Sequence, residues 1–185
     1  MKTYKNTCKK NIMIKENRME FRKSIKSDVS RIMEIIRQAQ EYFKLQGINQ
    51  WQNNYPNKEV INNDIDNGQS YVMLKDNNIV ATTVVSFKEE KSYENIIDGK
   101  WITNDKYGVI HRIAVDSNYK GLGLSHEIIK YSEELCLSND IHSIRVDTHE
   151  ENIPMQNLLK KNNFKYCGII FLEDGAKRIA FEKTI

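Results

Sequence analysis

From Val29 to Phe43 the apolar residues Val29, Ile32, Met33, Ile36 and Phe43 return at three- or four-residue intervals or whole turns, the spacing that lays one apolar face along an α-helix. Ser27 or Asp28 stands where a cap belongs, and Gly47 supplies the stop. A turn-rich loop, INQWQNNYPN, precedes a second short helix near Lys58 to Asp66 that ends at Gly68. Before the first helix, EFRKSI alternates as a short strand. After the second, SYVMLK and IVATTVVSF are β-branched runs joined by the polar DNN tripeptide, a hairpin signal.

Lys88 to Lys106 keeps no period and reads as an insertion or mobile loop. YGVIHRIAV, Tyr107 to Val115, is apolar enough for the middle of a sheet. Then Ile128, Tyr131, Ser132 and Leu135 mark one helix face running to about Asn139. HSIRVDT is a strand, and a further helix carries Met155, Leu158 and Leu159, with Pro154 in its first turn and Asn163 suited to the left-handed stop. FKYCGIIFL, the turn EDGA and KRIAFEKT close the chain as a hairpin. The order is mixed α and β, without a repeat.

With 185 residues, 39% hydrophobic and 29% charged, the chain suits one globular domain rather than a disordered one. No apolar run approaches the roughly 20 residues that span a bilayer, and MKTYKNTCKKNIMIKENR lacks the apolar centre of a secretory signal. The expected compartment is the cytoplasm, with no membrane partner. Cys8, Cys136 and Cys167 are odd in number and widely spaced, which argues for free thiols and against a disulfide framework or a zinc site. Residues 1–18 hold five lysines and one arginine against Glu16, whereas the remainder sets 22 basic side chains against 24 acidic. The folded body, 19–185, is therefore nearly neutral, and the basic extension is expected to be a poorly ordered tail; nucleic-acid binding through it is the less favoured alternative. Nothing in the pattern opposes a homodimer.

The stretch YKGLGLS, Tyr119 to Ser125, opens the helix after the central strand. Glycines there let successive N–H groups point into one hollow, and the start of a helix adds unsatisfied donors and the positive end of its dipole. Alone, such a G-x-G serves a turn as readily as a phosphate. A Walker loop and a dinucleotide fingerprint are both absent, since position 126 is His rather than Gly.

Two blocks together decide between these readings. IAVDSNYKGLGLS resembles the acetyl-CoA-binding motif of the GNAT superfamily of N-acetyltransferases, I-x-V-x-P-x-x-[RQ]-x-x-G-x-[GA]. THEENIPMQNLLKKNNFKYCG is similar to that family's later strand, asparagine-led helix and strand. The resemblance covers about residue 20 to the end. It implies an α+β fold in which a splayed, mostly antiparallel mixed sheet is flanked by about four helices. It also implies acetyl-CoA as co-substrate: Ile113 and Val115 would pair with its pantetheine arm, Lys120, Gly121, Leu122, Gly123, Leu124 and Ser125 would hold its pyrophosphate, and Asn152 and Lys161 would add contacts. Lys120, Ser125 and Ser117 depart from the pattern. Leu159 stands in place of the tyrosine that often protonates the leaving thiolate, and Asn163 in place of a glycine.

Acyl transfer to an amine needs a proton acceptor. By strand alternation Tyr107, Val109, His111, Ile113 and Val115 share one face, and His111 alone among them ordinarily titrates near neutrality. His111 is the expected general base. Asp147 and His149, two apart on the next strand, are expected to orient an amine or relay its proton; a metal there would need a third ligand, and none is expected. Trp51, Tyr55 and Trp101 are expected to line the pocket of the acceptor, a small-molecule amine or a peptide N-terminus. The alternative is a CoA-binding sensor or regulatory module without catalysis, for which Leu159 is the argument.

Overall fold

A computed structural model describes residues 19–185 of the protein. The expectations for the basic extension and for Cys8 fall outside these residues. The chain runs β1 (Met19–Lys23), α1 (Val29–Leu45), α2 (Lys58–Asp66), β2 (Ser70–Lys75), β3 (Asn78–Ser86), β4 (Gly108–Val115), α3 (Leu124–Ser138), β5 (Ser143–Thr148), α4 (Ile153–Lys161), β6 (Lys165–Phe171) and β7 (Lys177–Thr184). The strands form one seven-stranded mixed sheet in the order β1-β2-β3-β4-β5-β7-β6. Every pairing is antiparallel except that of β4 with β5.

Apolar periodicity translates directly into these elements. In α1, Val29, Ile32, Met33, Ile36 and Phe43 are all buried, joined by Ile35; all but Phe43 pack in one cluster with Val72, Leu74 and Ala114, while Phe43 meets Trp51. The DNN tripeptide makes the β2–β3 hairpin with Asp76 and Asn77 both at positive φ, as a two-residue turn of the twist-matched type requires. Asn163 takes its expected left-handed stop at φ 65°.

Three local expectations change. Asp28 does not cap α1: its carboxylate turns back to accept the Ile25 N–H at 2.9 Å and to pair with Arg22 at 2.7 Å. The expected Ile128 and Ser132 of α3 are buried, but Leu124, Ile129 and Cys136 complete the buried face while Tyr131 and Leu135 are only half-buried. The cause is that the helix packs into two clusters, one with β4, β5 and α4 residues and one with β2 and β3 residues. The aperiodic segment 88–106 is pinned, not free. Ile97 pairs with Ile169, the Trp101 indole N–H donates to the Tyr93 carbonyl at 2.9 Å, and the backbone N–H of Ile102 donates to the buried carboxylate of Glu182.

What positions the site is the junction of β4 and β5. Only Gly108 with Ile144 and Val109 with Arg145 stay in register. Beyond them β4 follows β3 as far as Val115, while β5 follows β7 as far as Thr148, so the sheet opens into a wedge.

Candidate active site

A bulge sets the shape of β4. Pairing with β3 advances three residues on β4, from His111 to Ala114, for two on β3, from Val84 to Thr82. The extra residue is absorbed at Arg112, whose φ is 53°, a conformation that costs a non-glycine residue about 1 kcal/mol or more. Arg112 is held there by a short ion pair to Asp64 (2.8 Å) and a hydrogen bond to the Tyr55 hydroxyl (2.8 Å). Burial pushes the Asp64 carboxyl up from its ordinary range, against the pull of Arg112. The bulge also corrects the expected alternation. Ile113 and Val115 pack toward α3, with Leu124 and Ile128, and so do not share a face with Val109 and His111.

Two cavities flank the wedge. The first, about 370 Å³, is lined by Val115, Tyr119, Lys120, Gly121, Gly123, Leu124, Ser125, His126, Leu158, Lys161 and Asn162. Gly121 and Gly123 sit at φ 80° and 78°, accessible to glycine at little cost. A Cβ on either would meet nothing within 4 Å, so the turn, and not crowding, requires glycine. The hydrogen bonds of α3 begin with the N–H groups of His126 and Glu127, both donated to the Gly123 carbonyl. The amides of Leu124 and Ser125 therefore lie ahead of the ladder, at the positive end of the helix dipole. Lys161 lines the cavity, and the Lys120 ammonium sits 4.9 Å above the Tyr42 ring. Asp116 fixes the approach to this loop: its carboxylate accepts the Asn118 N–H at 2.8 Å and pairs with Arg31. Cationic side chains, free amides and left-handed glycines on one concave surface fit a pyrophosphate. Leu122 is exposed and lies outside this lining.

The second cavity, about 540 Å³, has Trp51, Tyr55, His111, Ile113, Asp147 and Asn152 in its walls. Trp51 stands edge-on to Phe43 at 5.5 Å. Asp147 accepts the Tyr93 hydroxyl at 2.8 Å and faces Arg178 at 3.9 Å. Thr148, at the end of β5, also lines this space, and its Oγ1 is buried with no partner among the described residues. Asn152 accepts the Met155 N–H at 3.2 Å, capping α4, and donates to the Gln50 side chain at 3.0 Å.

Two expected residues are not brought to this cavity. His149 leads the turn after β5, where its Nδ1 accepts the Glu151 N–H at 3.2 Å. Trp101 packs against Tyr93 and over the Arg145 guanidinium, 4.2 Å from the ring centre. Leu159 is fully buried. Cys136 and Cys167 are free and buried; burial pushes the Cys136 thiol up to about 12 and raises Cys167 as well. No group of three or more His, Cys, Asp or Glu among the described residues has metal-binding geometry, and no described helix is long and apolar enough to cross a membrane.

Sequence reasoning does not single out Glu90, Arg112, His126 or Asn162. Glu90 Oε2 lies 3.5 Å from His111 Nε2 on the cavity wall, yet it comes from the aperiodic segment, where no pattern flags it. His126 Nδ1 lies 2.5 Å from Asn162 Oδ1 beside the glycine loop; its place directly after that loop was the available signal.

A mixed sheet wedged open between two parallel strands, with a glycine loop at a helix start on one side and a polar cavity on the other, is the architecture of an acetyltransferase. The chain belongs to the acetyltransferase (GNAT) family, whose model matches residues 32–164. A GNAT-family acetyltransferase from Streptococcus agalactiae 2603 is 32% identical, with a TM-score of 0.82 over 90% of this chain and 95% of that one. A GNAT-family acetyltransferase from Listeria monocytogenes 4b F2365, 19% identical, shares the fold with a TM-score of 0.70 over 90% of this chain and 95% of that one. The streptothricin acetyltransferase of Escherichia coli is 33% identical over 66 residues, 36% of this chain; the match spans 37% of that protein's length.

Proposed function

We propose that the protein transfers an acetyl group from acetyl-CoA to a primary amine of a small molecule or a peptide N-terminus, by direct attack of the amine. The observation that carries this reading is the placement of His111 on the wall of a polar cavity, across the wedge from the loop of Gly121 and Gly123. Acetyl-CoA, when bound, supplies the activated thioester.

The chain's own residues divide the remaining work. The amides from Gly121 to Ser125, with Lys120 and Lys161, hold the diphosphate. Ile113 falls outside the β3 register at the Arg112 bulge, and its backbone polar groups, with those of Val115, pair with the pantetheine arm. Asn152 orders the start of α4 beside that arm. His111 takes the proton from the acceptor ammonium, and Asp147 orients the amine while Trp51 and Tyr55 enclose it.

A CoA-binding sensor remains the second reading, favoured by Leu159: an apolar, fully buried side chain stands where the family's tyrosine delivers a proton to the thiolate. Acetyl-CoA-dependent release of free thiol, screened across amines and peptides, separates the two. Release with at least one amine, lost in His111→Ala, supports the enzyme. Tight acetyl-CoA binding without release from any amine supports the sensor.

A further inference from the structure

We infer that Glu90 is the positioning residue of the proton-transfer site, fixing the tautomer of His111 so that Nδ1 is the nitrogen that accepts the proton of the acceptor amine. The inference rests on the acetyl-transfer reading above. Glu90 Oε2 lies 3.5 Å from Nε2 of His111, and both side chains line the acceptor cavity. A carboxylate only accepts hydrogen bonds, so it selects the imidazole form that carries its proton on Nε2 and leaves the Nδ1 lone pair available.

Glu90 is built into place. Its N–H donates to the Tyr107 hydroxyl at 3.2 Å, its carbonyl accepts the Tyr93 N–H at 2.8 Å, and its Oε1 accepts the Ser92 hydroxyl at 3.2 Å. Tyr107 directly precedes β4, so the loop and the strand that bears His111 are tied at the same point. The His111 imidazole, 3.5 Å away, holds the Glu90 carboxyl below its ordinary range, more than offsetting its burial, and the Ser92 hydroxyl and the charge of Arg112 act in the same direction. The other charged or titratable groups around the pair are already committed: Arg112 to Asp64, and Tyr93 to Asp147, which faces Arg178. Glu90 is thus the carboxylate paired with His111.

In the step itself, one N–H bond of the acceptor ammonium breaks and its electron pair stays on nitrogen as the nucleophilic lone pair. The proton forms a new N–H bond at Nδ1 of His111. The resulting imidazolium keeps its Nε2–H toward Glu90, whose negative charge opposes the new positive one.

The test is ¹⁵N NMR of histidine-labelled full-length protein, with kinetics on an amine that releases thiol. The expected spectrum shows neutral His111 protonated at Nε2. In Glu90→Gln, whose amide both donates and accepts, both tautomers appear, and kcat falls by about 100-fold with the KM for the amine changed far less. Glu90→Asp, which keeps the carboxylate, retains the single tautomer and most of the activity. Neutral His111 protonated at Nδ1, or Glu90→Gln with an unaltered tautomer and kcat, overturns the assignment. Failure of every amine to release thiol with the wild-type protein removes the acetyl-transfer reading instead, while the tautomer measurement still decides the role of Glu90.

Discussion

The side-chain amide of Asn152 donates to Gln50 at 3.0 Å while its oxygen accepts the Met155 N–H at 3.2 Å. One buried side chain thus joins the start of α4 to the loop that carries Trp51 and Tyr55. Its two roles separate by substitution. Asn152→Ala removes both bonds and is expected to cost about 1–2 kcal/mol of stability through the lost cap. Asn152→Ser keeps a cap but not the reach to Gln50. Thermal melts should show the loss mainly in the alanine variant, while both variants raise the KM for the acceptor several-fold.

The glycine loop offers a charge test free of crowding, because a Cβ at Gly121 meets nothing within 4 Å. Gly121→Ala carries only the strain of a left-handed alanine, about 1 kcal/mol. Gly121→Asp adds a carboxylate against the proposed diphosphate. Calorimetry is expected to show acetyl-CoA binding abolished in the aspartate variant and weakened by less than about tenfold in the alanine variant. Equal affinity in wild type and Gly121→Asp would remove the phosphate assignment.

Gly99 tests whether the segment 88–106 is as firmly seated as it looks. A Cβ there would lie 1.9 Å from the Cys167 carbonyl oxygen, so backbone has to move. Gly99→Ala is expected to destabilise the protein by about 2–3 kcal/mol and, by displacing the segment that carries Glu90, to lower kcat. A melt unchanged within about 0.5 kcal/mol would show the segment to be loosely held.

Acid sensitivity follows from Asp116 and Asp28. Burial alone would push both carboxyls up, but hydrogen bonds and the guanidinium groups of Arg31 and Arg22 outweigh it and hold both below the usual carboxylate range. A carboxyl depressed by folding contributes stability that is present above its unfolded value, about pH 4, and is lost as pH falls through the lower folded value. The melting temperature should therefore drop on acidification below about pH 4. Asp116→Asn should melt lower at neutral pH and show a shallower acid dependence.

Much of this molecule was legible one segment at a time. The α1 face, the Asp76–Asn77 hairpin and the terminal hairpin each obey a short-range period or a turn requirement, which is local backbone physics. The paired blocks around YKGLGLS and Asn152 likewise marked the family, because glycine, helix start and cap are local signals. Glu90, by contrast, lies in a segment without period, and its pairing with His111 joins residues 21 positions apart in the chain. The separation of Trp101 from the cavity of Trp51 and His111 is of the same kind, since Tyr93 and Arg145 decide where that ring packs.

The elements, the glycine loop and the family could be read from the chain alone, because these depend on neighbours within a few residues or on motifs of fixed spacing. Which side chains meet across the wedge was set by tertiary packing. The bulge at Arg112 breaks the two-residue alternation of β4, and one displaced residue turns Ile113 and Val115 away from the face of His111. That bulge is held by Asp64 and Tyr55, from elsewhere in the chain. A strand's period is local, but the place where it breaks is set by distant partners that stabilise the break.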